Sequence, residues 1–150
     1  MKSESHEKYL KIALEEAKKS GKDVPVGAVL VKNNEIIARA HNTKETDNDP
    51  AGHAEMIVIR EAAGILNNWR LDNTILYVTL EPCPMCASAI LYSRIPEIVF
   101  GATDQLYGAF GSVLNMADYI NFQPRIVQGI LEEHCSELLK TFFEKVRRGN

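Results

Sequence analysis

Two short stretches of the chain, His53-Ala54-Glu55 and Pro82-Cys83-Pro84-Met85-Cys86, contain side chains that zinc prefers. One imidazole and two thiolates, from His53, Cys83 and Cys86, supply three ligands for a tetrahedral ion. A structural zinc site fills all four positions with cysteine or histidine, whereas a catalytic site keeps one position open. The pattern therefore predicts a catalytic centre with one zinc ion per subunit.

Both motifs are expected at the start of a helix. Asp49 is a good N-cap residue and Pro50 suits a first helical turn, while Pro82 has the same place before the cysteines. Cysteines three residues apart lie on one side of such a helix start, where free N–H groups and the helix dipole favour the thiolate. If the two helix starts converge, the three ligands can close around one ion.

The number of cysteines argues against a disulfide framework. The chain has three cysteines, an odd number that does not suit a disulfide framework. A redox pair formed by Cys83 and Cys86 is the alternative to metal binding, but such a pair does not require His53 and Glu55 as a second motif. Cys135 lies on the apolar stripe of a later helix and is expected to be a core residue.

The rest of the chain alternates strands and helices. The pattern predicts an amphipathic helix over residues 5–20 and a hairpin of residues 27–31 and 36–40, with a tight turn at Asn33-Asn34 where asparagine tolerates a positive φ. Strands are predicted at 74–79, 98–100 and 126–127. Further helices are expected at 53–66, from Pro82 to about 92, and along the apolar stripe from Leu131 to Val146. This order predicts an α/β fold, a three-layer α/β/α sandwich around a five-stranded mixed sheet, with residues 1–150 in one domain.

Composition restricts the class of protein. Of the 150 residues, 45% are apolar and 25% charged, which is ordinary for a globular domain, and no apolar stretch approaches the ~20 residues that cross a bilayer. The first residues lead into a charged helix rather than a signal peptide, so a cytoplasmic protein without a membrane partner is expected. The net charge of −3 means that any surface for nucleic acid has to be local.

The last helix offers such a local surface. Lys140, Lys145, Arg147 and Arg148 gather positive charge beside Phe142-Phe143, so this end can supply phosphate contacts and a stacking surface. The alternative is that basic residues only complement the helix C-terminus.

The spacing H-x-E followed by P-C-x-x-C resembles the signature of zinc nucleobase deaminases. The likeness to bacterial tRNA-specific adenosine deaminases extends over nearly the whole chain, through Pro25-Val26-Gly27-Ala28, Asn42, Asp49-Pro50, residues 66–71 and 76–83, Ser93-Arg94-Ile95, Gly101-Ala102, Asp104 and Gly111-Ser112. The resemblance implies the cytidine-deaminase-like fold, a homodimer, and hydrolytic deamination of the wobble adenosine in a tRNA anticodon loop to inosine.

The resemblance also implies roles for single residues. Glu55 would carry protons between a water molecule, a ring nitrogen of the base and the departing ammonia. Asn42, with the backbone of Ala54, would contact the purine. Asp104 and the Phe142-Phe143 end of the last helix, with Phe143 beside Arg147, would touch flanking nucleotides.

The chain departs from the family pattern at three places. Ala51-Gly52 replaces the usual Thr-Ala, Phe110 interrupts a loop of small residues, and Pro124 replaces a common His. Gly52 is expected to loosen a helix start by up to ~1 kcal/mol relative to Ala, and Phe110 to reshape the substrate rim. Tyr107 and Phe110 could each stack on an unpaired base or pack in a dimer interface.

Two other functions stay open. One is a free-base or nucleoside deaminase that acts on guanine or cytosine with the same fold, against which Phe142-Phe143 and its basic neighbours favour tRNA. The other is a non-catalytic, zinc-dependent RNA-binding subunit. Glu55 counts against the second, because a binding module needs no carboxylate beside an open metal position.

Overall fold

One mixed sheet organises the chain in a computed structural model, which describes residues 2–149. The sheet order is β2-β1-β3-β4-β5, with β1 antiparallel to both β2 and β3, and with β3, β4 and β5 mutually parallel. The predicted domain bounds, residues 1 and 150, lie outside the described residues. The strands are β1 Gly27–Lys32, β2 Glu35–His41, β3 Thr74–Leu80, β4 Glu97–Ala102 and β5 Arg125–Gln128.

Helices cover both faces of this sheet, as predicted. They are α1 Lys2–Ala17, α2 Ala54–Leu66, α3 Pro84–Tyr92 and α4 Glu132–Arg147. Helix α1 starts three residues before its predicted start and ends three residues before its predicted end. The helix ends early because residues 18–20 form a tighter 3-10 turn before Gly21, whose φ is 61°. None of the helices within residues 2–149 is both long enough and apolar enough to cross a membrane.

Alternation along the central strands divides the core into two layers. Leu76 and Val78 of β3 face the larger core, which α2 and α3 cover. Tyr77, between them, packs with Leu10 of α1 on the opposite face. Cys135 of α4 is buried on that face beside Leu14, which confirms its expected place in the core. The sheet is therefore buried on both sides, as the parallel half requires.

The hairpin between β1 and β2 turns at Asn33 and Asn34. Their φ angles of 51° and 62° are both positive, as a two-residue type I′ turn requires. Asparagine tolerates this left-handed conformation better than most residues, so the turn predicted from the sequence is confirmed.

Helix α1 approaches the sheet closely at Gly27. A Cβ atom at this position would clash with the carbonyl oxygen of Ala13 and lie 2.6 Å from the backbone nitrogen of Ala17. Both obstacles are helix backbone, which cannot rotate away as a side chain can. Helix α1 can therefore lie this near to β1 only because residue 27 has no side chain.

We expect Gly27→Ala to destabilise the protein by ~1–3 kcal/mol or more, because the added methyl group forces α1 away from β1. The control is Gly64→Ala in α2, where a Cβ would meet no atom of the described residues within 4 Å. That change is expected to be neutral or to stabilise by up to ~1 kcal/mol. Urea unfolding of the two variants measures the difference, and equal effects would contradict the packing described for α1.

Candidate metal centre and cavity

The two predicted motifs meet where α2 and α3 begin. His53 is the N-cap residue of α2, and Cys83 is the N-cap residue of α3, with Pro84 at the first helical position. Helix α3 follows directly from the carboxyl end of β3, and the two helices pack against each other on one face of the sheet. Both motifs thus lie at helix starts, as predicted, and the two starts converge. The prediction of Asp49 as the cap and of Pro50 and Pro82 in the first turns is wrong, because the chain before each helix stays non-helical up to His53 and Cys83.

The three predicted ligands have the geometry that zinc requires. Nδ1 of His53 lies 3.4 Å from Sγ of Cys86 and 3.7 Å from Sγ of Cys83. Bond lengths of about 2.0 Å to nitrogen and 2.3 Å to sulfur at a tetrahedral angle give an N···S separation of about 3.5 Å. The donor set and its two N···S separations therefore fit a zinc ion. Among residues 2–149 this is the one group of three such side chains with ligand atoms within 4.8 Å of one another.

The pKa values of the two thiols shift in opposite directions because a hydrogen bond joins them. A hydrogen bond with Cys86 lowers the pKa of Cys83 to about 4, and the same interaction raises the pKa of Cys86. The hydrogen bond between His53 and Cys83 raises the pKa of the imidazole. Metal coordination requires both sulfurs as thiolates and the imidazole as a neutral ligand, so binding of the ion releases protons from this group.

Glu55 lies beside the three ligands and is only 4% exposed. Burial raises the pKa of its carboxyl group to about 7, although its own backbone N–H and the nearby His53 oppose the shift. It also shares a hydrogen bond with Cys86. A carboxyl group that can gain and lose a proton near neutral pH is suited to general acid and base catalysis.

A cavity of about 650 Å³ opens next to the centre. Its size lies within the range of pockets that hold small ligands. The predicted site residues that line it are His53, Glu55, Cys83, Asn42, Asp104 and Phe143. Lys22, Lys44, Glu81, Leu106 and Leu139 also line it, and sequence reasoning gave none of these five a role.

Both the nitrogen and the oxygen of the Asn42 side-chain amide form hydrogen bonds within the protein. Its Nδ2 donates to the carbonyl oxygen of Val24 at 3.0 Å, and its Oδ1 accepts the N–H of Ala54, the first residue of α2, at 2.9 Å. Asn42 therefore caps α2 from outside the helix. The Ala54 N–H is satisfied within the protein and Ala54 is fully buried, whereas Asn42 keeps one further amide hydrogen and lines the cavity.

Arg147 is exposed in the last turn of α4, one turn beyond Phe143. The structure brings Phe143 into the cavity wall, and along the described part of α4 the wall ends there. Phe142 lies edge-on to Phe143 with ring centroids 5.3 Å apart. The predicted aromatic surface therefore adjoins the cavity, and the predicted basic surface lies outside it.

Two of the residues that depart from the family pattern, Gly52 and Phe110, have structural roles that differ from those expected. Gly52 precedes α2 rather than opening it, and a Cβ there would lie 2.9 Å from the backbone nitrogen of Lys44. Gly52 thus permits close packing of the loop instead of loosening a helix. Phe110 is 4% exposed within the main core, so neither base stacking nor interface packing applies to it. Tyr107, by contrast, is 64% exposed at the cavity.

Comparison with known proteins agrees with this geometry. Residues 3–102 match the model of the cytidine and deoxycytidylate deaminase zinc-binding region. The chain belongs to this deaminase family. At 50% identity over 95% of the chain and 91% of the relative, it is also similar to a protein of Bacillus subtilis named tRNA-specific adenosine deaminase, which places it in that narrower family.

Solved structures of deaminases share the fold. One comes from a study of A-to-I editing by tRNA:A34 deaminases at the wobble position of transfer RNA, with a TM-score of 0.81 and 38% identity over 87% of this chain and 98% of that one. Another is a guanine deaminase from Bacillus subtilis, with a TM-score of 0.63 and 42% identity over 65% of this chain and 64% of that one. This deaminase family binds zinc, and His53, Cys83 and Cys86 form the candidate site in the chain.

Proposed function

We propose that the chain is a zinc-dependent hydrolase that converts adenosine to inosine at the wobble position of a tRNA anticodon loop. The observation that carries the proposal is Glu55, a buried carboxyl group that lies beside three candidate zinc ligands and lines a cavity. The choice of tRNA rests on similarity over nearly the whole chain to a tRNA-specific adenosine deaminase.

His53, Cys83 and Cys86 would hold the ion, which when bound supplies Lewis-acid activation of a water molecule at neutral pH. Glu55 does the proton transfers. Its carboxylate accepts a proton from the water that adds to C6 of adenine and delivers that proton to the ring nitrogen N1. It then carries the second proton to the amino group, which leaves as ammonia, so that inosine remains.

The cavity wall can hold a nucleoside that has left the base stack. Enzymes that modify a base bind it in a pocket away from its neighbours, and an unpaired loop offers such a base at low cost. Asn42 is the proposed purine contact. Asp104 and Phe143, which both line the cavity, are the proposed contacts to flanking nucleotides.

The similarity to a guanine deaminase favours one rival, a free-base deaminase with the same metal centre. That match covers 65% of the chain, whereas the match to the tRNA-specific relative covers 95%. The longer match supports an RNA substrate. Action on tRNA also leads us to propose the cytoplasm as the compartment.

Two substitutions separate catalysis from metal binding. Glu55→Gln should keep one zinc per subunit but lose at least ~10²-fold in rate, since it removes only the proton carrier. Cys83→Ser should lose both zinc and activity. Metal analysis is combined with ammonia release from an anticodon stem-loop, free adenine, guanine and cytosine. Fast turnover of a free base alone would favour the rival, and no turnover by the wild type would favour the non-catalytic RNA-binding subunit.

We further propose a homodimer, which extends the RNA surface of a small domain. Large apolar side chains that the isolated chain leaves exposed support it, including Trp69 and Tyr92. Light scattering at micromolar concentration should return a dimer. Tyr92→Lys should weaken it, whereas Ile36→Lys, at an exposed position in the hairpin, should not. A wild-type monomer would contradict this proposal.

The basic end of α4 is proposed to contact phosphates. Arg148 lies 3.9 Å from Glu144, an exposed pair that leaves its charge available to RNA. Replacing Arg147 and Arg148 by alanine should weaken RNA binding and reduce its salt slope by ~0.7 for each phosphate of a single strand that is no longer neutralised. The matched control replaces the exposed Arg60 and Arg70. An unchanged slope with unchanged zinc content would show that these residues only complement the helix end.

A further inference from the structure

A loop that follows β4 forms part of the cavity wall. Residues 103–112, here called the rim loop, leave the end of β4 and place Asp104, Leu106 and Tyr107 at the cavity. The side chains of Leu106 and Tyr107 are mostly exposed. The tip of the loop is therefore not held by an apolar core and is positioned by hydrogen bonds, whereas residues 109–110 anchor the second half of the loop in the main core.

Those hydrogen bonds converge on Glu81, which is 2% exposed. Its carboxylate accepts the backbone N–H groups of Asp104, Phe110 and Ser112, each at 3.1 Å. The hydroxyl group of Ser112 donates a fourth hydrogen bond. One side chain thus gathers both ends of the rim loop.

The chemistry of these contacts specifies a carboxylate. An ionised carboxyl group only accepts hydrogen bonds and offers about four lone-pair positions, which four donors here occupy. The ion pairs found among residues 2–149 do not include Glu81, so the loop itself solvates this buried charge. Burial of Glu81 and ordering of the rim loop therefore require each other.

Gly108 shows how closely the loop surrounds this carboxylate. A Cβ at residue 108 would lie 2.6 Å from both Cδ and Oε1 of Glu81. The next residue, Ala109, donates its N–H to the carbonyl oxygen of Pro82 at 2.9 Å. The rim loop is consequently attached to the two residues that directly precede the metal ligand Cys83.

We propose that Glu81 is a positioning residue, which holds the rim loop in the conformation that binds substrate and sets Asp104 and Tyr107 at a fixed place relative to Cys83. The inference rests on the proposed function, because it takes the flanking nucleotides of an anticodon loop as what the rim loop contacts. Glu81 acts through the loop and not on the reacting atoms.

Glu81→Gln is the informative substitution, because it keeps the size of the side chain but turns one acceptor into a donor that faces N–H groups. The loop is then ordered for only a fraction of the time, and the apparent affinity falls by that fraction. KM for the anticodon stem-loop should rise roughly tenfold or more, while kcat changes less than about threefold. Zinc content should stay at the wild-type value.

Glu16→Gln is the matched control. Glu16 is another buried carboxylate, in α1, and it accepts hydrogen bonds from Lys19 and Arg39. Its loss should lower stability without changing KM. Ser112→Ala should raise KM less than Glu81→Gln does, and the double variant should show less than the product of the two single effects, because both remove the same interaction.

Chymotrypsin cleavage after Tyr107 gives a readout that needs no substrate. Cleavage should be faster in Glu81→Gln than in the wild type and unchanged in Glu16→Gln. Unchanged cleavage, a fall in kcat at constant KM, or loss of zinc would each overturn the positioning role. If the wild type does not deaminate the stem-loop, the proposed function fails, while the cleavage rates still decide whether Glu81 holds the loop.

Discussion

The convergence of two helix N-termini is the constraint on which the rest of the structure depends. His53 precedes α2 and Cys83 precedes α3, and the Nδ1 and Sγ atoms must approach within 4 Å although 30 residues separate them in sequence. Small and apolar side chains between the helices, such as Ala54 and Ala87, allow this approach. A third segment holds the start of α2, since the side chain of Asn42, just after β2, accepts the first N–H of α2. Strand β3, the central strand of the sheet, delivers the cysteines.

Two buried glutamates lie close to this centre in opposite environments. Glu55 is desolvated and has a raised pKa, whereas Glu81 is surrounded by donors from the rim loop. The first environment suits a group that gains and loses protons, and the second suits an anion that organises backbone. The same residue type thus serves chemistry at one position and architecture at the other, because the number of nearby N–H groups differs.

The sequence was most informative where a physical rule acts over a few residues. Periodicity, local composition and proline placement predicted the five strands and four α-helices that the described residues form. Asn33-Asn34 predicted the hairpin turn, and the ligand set could be predicted because few residue types bind zinc. Glu81 could not be given a role in this way, since its partners are backbone groups 23 to 31 residues away. Phe110 was interpreted as part of an exposed rim, and Gly52 was judged by helix propensity. The surroundings of both residues depend on the positions of other segments of the chain, which local composition does not reveal.

The end of β4 separates the residues of the metal centre from a later group of residues that line the cavity. All three ligands and Glu55 come before Ala102, whereas Leu139, Phe143 and the part of the rim loop that lines the cavity come after it. Helix α4 is fastened to the sheet through Cys135 against Gly101, far from the metal ligands in sequence. Exchange of exposed residues beyond Ala102, such as Leu106 and Tyr107, can therefore reshape what the cavity admits and leave the reaction centre intact. Such an arrangement lets one chemical core diversify towards new substrates by changes confined to the last third of the chain.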